Sequence, residues 1–105
     1  MQIPLQITTR GVHTSEAVDA AVRKHVAKLE HFSDQIVSCR VTVEVPASHK
    51  HQGGLHAVHV DLKVPGDEII SSRGHENEDV YVAIRDAFSA VQRRLEDHMR
   101  RQREH

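Results

Sequence analysis

Arginines set seven residues apart near the end of the chain are its first chemical signal. Arg93-Arg94 and Arg100-Arg101 place two pairs of guanidinium groups about two helical turns from each other, a row suited to successive phosphates of a polyanion. A second signal is histidine, with ten in 105 residues. His49, His51, His56 and His59 sit in one polar loop and the strand that follows it, and imidazoles two or three residues apart are able to ligate zinc, nickel or copper. His-Lys-His has no firm ligand spacing, however, and no cysteine or carboxylate completes the set. His56 and His59 also point to opposite faces of a regular strand. Exposed loop histidines are the plainer account, and a metal site at these four is the alternative. Nucleophilic chemistry finds less support. Cys39 falls on the apolar side of a strand, where a structural thiol is the ordinary outcome. Ser71-Ser72 and Asp67-Glu68 form no triad or carboxylate pair. Tyr81 reads as a packing residue whose hydroxyl reaches the rim, and there is no glycine-rich phosphate loop. The sequence reads as that of a non-enzyme with no cofactor.

These groups need elements to position them. The stretch from residue 76 to the end carries Val80, Ile84, Ala87, Phe88, Val91 and Leu95 at spacings of three and four, one apolar stripe along a helix. Asn77 is the expected N-cap, Glu78 and Asp79 fall in the expected first turn, and Arg100, Arg101 and Arg103 close the last, matching the helix dipole. The chain's last few residues, after about Arg101, are expected to leave the helix as a disordered tail. At the other end, residues 1 to 9 alternate, with Ile3, Leu5 and Ile7 on one side, and predict a half-buried strand whose Pro4 fits a sheet edge. Thr14 or Ser15 caps a first helix whose stripe is Val18, Val22, Val26, Leu29 and Phe32, ended by Ser33-Asp34. Val37, Cys39, Val41, Val43 and Val45 then alternate with polar residues in a second strand, stopped by Pro46. After a polar loop, Val58, Val60, Leu62 and Val64 alternate with Ala57, His59, Asp61 and Lys63 in a third. Pro65-Gly66-Asp67 turns into a short fourth strand around residues 69 to 72. The order is β-α-β-β-β-α. Its economical arrangement is an α+β two-layer sandwich, with both helices on one face of a mainly antiparallel four-stranded sheet.

Composition sets the outer bounds. A chain of this length is one domain with one modest core. Its formal charge of −1 gives no overall field toward a polyanion, so a nucleic-acid site must come from segregated charge. One cysteine rules out an internal disulfide and any multi-cysteine zinc site. No secretory leader and no apolar run of membrane-spanning length are found, which leads to the expectation of a cytoplasmic protein without a membrane partner.

On the first helix, Lys24, Lys28 and His31 fall nearly opposite the core stripe, Glu16, Asp19 and Glu30 share a flank, and Arg23 lies between. On the second, Arg94 and Arg101 form a clean flank while Asp86, Glu96 and Asp97 lie among Arg85, Arg93 and Arg100. If the helices lie side by side, their basic rows join. Charges on exposed helix faces are ordinarily solvation and weak i,i+4 pairs of a few tenths of a kcal/mol, and with one Tyr and two Phe there is no platform for stacking bases. A binding site here acts on phosphates and shape.

The run Gly74-His75-Glu76-Asn77-Glu78-Asp79-Val80-Tyr81-Val82-Ala83-Ile84-Arg85-Asp86-Ala87, followed by Gln92-Arg93-Arg94-Leu95, resembles the Glu-Asp-Met-Tyr-x-Ala-Ile signature and Arg-rich final helix of ribosome hibernation-promoting factors. These are also described as ribosome-associated translation inhibitors or sigma-54 modulation proteins. Ala27-Lys28-Leu29-Glu30, the Pro65-Gly66 turn and the element order extend the resemblance over the whole chain. It implies a fold similar to a double-stranded-RNA-binding domain, docked on the small ribosomal subunit and its rRNA in the channel for messenger and transfer RNA. The implied activity is a stress or stationary-phase block of translation by occlusion. The matching rRNA-binding positions are Arg23, Lys24, Lys28, Arg93, Arg94, Arg100 and Arg101, with Arg23 and Arg85 the weaker candidates. Ala90 and Asp97 stand where related proteins often carry Lys, which thins the patch on the final helix. The chain looks like the short form, without the C-terminal domain by which long forms pair ribosomes, so ribosome dimerisation by this chain alone is not expected. A second hibernation factor as partner and the oligomeric state are left open. A general double-stranded-RNA binder or a protein-interaction domain on the same fold are the alternative readings.

Overall fold

The computed structural model describes residues 3–11, 15–45, 55–66 and 68–103. Its elements are β1 (Leu5–Arg10), α1 (Glu16–Phe32), β2 (Ser38–Glu44), β3 (His56–Val64), β4 (Glu68–Asn77) and α2 (Val80–Arg103), the order that the periodicities predict. They form a four-stranded sheet in the order β1-β2-β3-β4. β1 runs parallel to β2, with Ile7 opposite Val41. The other neighbours are antiparallel, with Val41 opposite Val60 and Leu62 opposite Ile70.

The alternation decides which sheet face is covered. Val41, Val43, Val58, Val60, Leu62 and Val64 are all but fully buried and form one core with Val22, Val26 and Leu29 of α1 and Ile84, Phe88, Val91 and Leu95 of α2. Each such side chain contributes about 1.5–3 kcal/mol by leaving water. The intervening Gln6, Thr8, Arg40, Thr42, His59 and Asp61 line the opposite, open face. Both helices therefore lie on one side. Ile3 N–H donates to Glu30 Oε1 at 3.0 Å, which ties α1 to the β1 side. Ser72 Oγ donates to the Ala87 carbonyl at 2.8 Å, which ties α2 to β4 and satisfies a fully buried hydroxyl.

The helix ends follow their side chains. Ser15 is the cap of α1, its Oγ accepting from Val18 N–H at 3.0 Å, while Thr14 lies outside the described residues. Ser33 N–H donates to the Leu29 carbonyl at 2.9 Å and closes α1. Four expectations are corrected. β4 is ten residues long rather than a short strand around residues 69 to 72, because Gly74 adopts φ +78° at a register shift opposite Val58 and Val60, a bulge that bends the strand without ending it. The cap of α2 is consequently Asp79: its Oδ1 accepts from Tyr81 N–H at 2.9 Å, while Asn77 Oδ1 accepts from Asp79 N–H at 2.8 Å. At its far end α2 runs through Arg103, past the point where a tail was expected, and residues 104 and 105 lie outside the described set. Val37, assigned to the buried side of β2, precedes that strand and is 46% exposed. Pro46 and Asp67 also lie outside the described residues.

Candidate nucleic-acid interface

The two helices run parallel. The His25 ring of α1 stacks on Phe88 of α2, centroids 5.1 Å apart and planes within 14°. Seven residues further along α1, Phe32 shares a hollow with Glu96, Met99, Arg100 and Arg103. The outer faces of α1 and α2 therefore point the same way, as side-by-side packing requires.

The eight predicted cations divide on this frame. Lys24 and Lys28 are exposed on the outer side of α1 and have no ionic partner among the described residues. Their field is felt next door: the His25 imidazole is held below its usual range by burial first, then by Lys28 and Lys24. Arg93 is likewise exposed and without an ionic partner among the described residues. It lies two positions, about 200° of helix, before the buried Leu95, so it points outward. Arg100 belongs to the same outward row, with Asp97 3.4 Å away. Arg85 is turned to its neighbour Asp86, at 3.2 Å.

The remaining three face elsewhere. Arg23 pairs with Asp19 at 2.9 Å and lines a groove with Ile3, Leu5 and Glu30, on the β1 side of α1. Arg94 donates to the Ser71 carbonyl on β4. Arg101 lies beside it over Glu68, Ser71 and His98, on the flank of α2 away from α1. The clean flank of Arg94 and Arg101 thus exists, but it is a second surface and does not join the row of α1. Arg103, counted in the sequence only as a helix-closing charge, adds an exposed cation where the ends of the two helices meet, and His31 extends the row of α1. The signal for both was present, since each continues a basic row by helical spacing.

His98 gave no sequence signal. It is 7% exposed, its Nδ1 lies 2.8 Å from Glu68 Oε2, and Nε2 is buried without a hydrogen-bond partner. With a carboxylate as partner, Nδ1 carries the proton in the neutral ring, and Nε2 then presents only a lone pair to the interior.

The other chemical candidates are occupied otherwise. His56 Nδ1–H donates to the Glu78 carbonyl at 3.1 Å, whereas His59 Nε2 is 3.0 Å from Glu44 Oε1 on the open sheet face. His49 and His51 lie outside the described residues. Among the described residues no three His, Cys, Asp or Glu side chains are grouped to hold a metal. Burial, then Asp61, pushes the Cys39 thiol up to about 12, so it keeps its proton near neutrality. Tyr81 is 46% exposed, more than a packing role predicts. Among the described residues no helix is long and apolar enough to cross a membrane.

Two parallel helices packed on one face of a mixed sheet define a class of small α+β domain whose fold solved structures share. A ribosomal subunit interface protein from Coxiella burnetii shares the fold, with a TM-score of 0.78 at 18% identity over 92% of this chain and 98% of that one. The Protein Y N-terminal domain of Thermus thermophilus has a TM-score of 0.62 at 25% identity, over 96% of this chain and 98% of its own. The chain belongs to the Sigma 54 modulation protein / S30EA ribosomal protein family, whose model matches residues 5–103. Among curated relatives, the ribosome hibernation promotion factor of Deinococcus radiodurans is 33% identical over 95 residues, 90% of this chain and 48% of the relative. The chain therefore spans about half of that relative's length.

Proposed function

We propose that this chain is a ribosome-associated hibernation factor, a single cytoplasmic ribosome-binding domain that inhibits translation without catalysis. In this reading it binds the rRNA of the small subunit, in the channel used by messenger and transfer RNA, and acts by occlusion. The observation that carries the reading is the placement of Lys24, Lys28 and Arg93 on one outer face of two parallel helices, without ionic partners among the described residues. Membership of the S30EA family and the hibernation factor among its relatives support a ribosomal partner. Arg100 and Arg103 continue the row. Such a surface reads backbone phosphates and the shape of folded RNA and carries little base sequence information.

Co-sedimentation with purified small subunits across a salt series, with and without excess initiator transfer RNA, tests this. About four phosphate contacts lower the association constant by about two orders of magnitude between 50 and 200 mM salt. Salt-sensitive binding that transfer RNA displaces is the expected result. Equal affinity for isolated duplex RNA overturns the ribosomal assignment in favour of a general duplex binder, and absence of binding at low salt removes RNA altogether.

A further inference from the structure

His25 lies at the seam between the two helices, next to the cationic row of α1. Its ring is half-buried and held flat against Phe88, so its orientation is set by packing. On α1 it follows Lys24 directly and precedes Lys28 by one turn, both lysines near enough to disfavour its charged form. On α2 the charged residues nearest Phe88 along the helix are Asp86 and Arg85, which precede it by two and three positions and pair with each other, and Arg93, five positions after it and exposed on the outer face; Glu96 lies further on, with Phe32. The sheet beneath presents the valines and leucine of the core. The imidazole is thus an oriented ring inside a basic row, its charged form disfavoured in the unbound protein by burial first and then by Lys28 and Lys24.

We infer that His25 is the proton-taking member of the RNA face: it charges when phosphates dock on Lys24 and Lys28, and so makes RNA binding tighten as pH falls. This rests on the reading of that face as an RNA surface. Phosphates near Lys24 and Lys28 offset the two charges that oppose protonation, and a phosphate within pairing distance of the ring favours the imidazolium directly. The proton comes from solvent, and the charged ring gains a second N–H donor where the neutral ring has one. His31, exposed in the same row, is the natural internal comparison because nothing stacks on it among the described residues.

The test measures affinity for purified small subunits at constant ionic strength from pH 8 to pH 6. The proteins are wild type, His25→Gln, His25→Arg and His31→Gln, each with its thermal melt recorded. Wild type should tighten about fivefold to tenfold toward pH 6. His25→Gln should match wild type at pH 8 and lose most of that gain. His25→Arg should bind at pH 8 about as tightly as wild type at pH 6, with a flattened profile, a rescue that a merely structural role does not produce. A His25→Gln profile that superimposes on wild type, or a His25→Arg variant that binds more weakly than wild type at pH 8 with an unchanged melt, overturns the inference while leaving RNA binding intact. Absence of binding at every pH overturns the RNA reading itself, and this inference with it.

Discussion

Arg93 and Arg94 are neighbours in sequence with opposite fates. Arg93 leaves α2 on the outer face, exposed and without an ionic partner among the described residues. Arg94, a third of a turn further round, reaches down to the Ser71 carbonyl. That carbonyl belongs to β4, the last strand of the sheet order, so the guanidinium ties α2 to an outer strand of the sheet. One arginine is available to a ligand and the other is used by the fold. The difference teaches that a run of basic residues is not a binding site until each charge has been followed to its partner.

The comparison breaks most decisively through charge reversal on the outer face. Lys28→Glu with Arg93→Glu should weaken subunit binding by about 100-fold at low salt, with a thermal midpoint close to wild type, because neither side chain has a structural partner among the described residues. A loss of cooperative folding in this variant would contradict the division of roles. Next in size, Arg94→Ala should lower stability by about 1 kcal/mol in urea titration, through a lost charge-assisted bond at an exposed site. Its subunit affinity should change less than threefold. The salt series sharpens the contrast further: Arg93→Ala should reduce the slope of log K against log salt by about one, and Arg94→Ala should leave it unchanged.

The smallest effects are in pH. Because His25 is held below its usual range in the folded protein, the unfolded chain binds more protons as pH falls below about 6.5, and stability declines there. His25→Gln should remove part of that decline. Cys39 has the opposite sense. Its folded thiol is raised from 9.0 to about 12, so the stability present below pH 9 is lost progressively as pH rises from 9 toward 12, and Cys39→Ser should flatten that limb. Denaturant midpoints from pH 5 to pH 10 show both signs in one experiment.

Much of the fold was legible because the core is written in simple periods. Val58, Val60, Leu62 and Val64 alternate without interruption, and the stripe from Ile84 to Leu95 keeps helical spacing, so element order and layer arrangement followed. The misread boundaries have local causes. Gly74 looks like a strand breaker, but its positive φ serves a bulge inside β4, and extending that strand moved the helix cap from Asn77 to Asp79. The candidate site was half legible. Helical angle alone separates Arg93 from Arg94, but the Ser71 carbonyl that Arg94 meets depends on how β4 lies under α2, a tertiary register that no local pattern encodes. His98 was invisible for the same reason, since its burial and its partner Glu68 come from 30 residues upstream.

The parallel pairing of β1 with β2 has a kinetic consequence. β2, β3 and β4 meet through antiparallel neighbours close in sequence, whereas Leu5 reaches Cys39 only after the whole of α1 has crossed the sheet. Closing that long loop costs entropy before any ladder bond repays it. β1 is therefore expected to be the last strand secured and the first to peel away, so its amides should exchange with solvent at a lower opening free energy than those of β3.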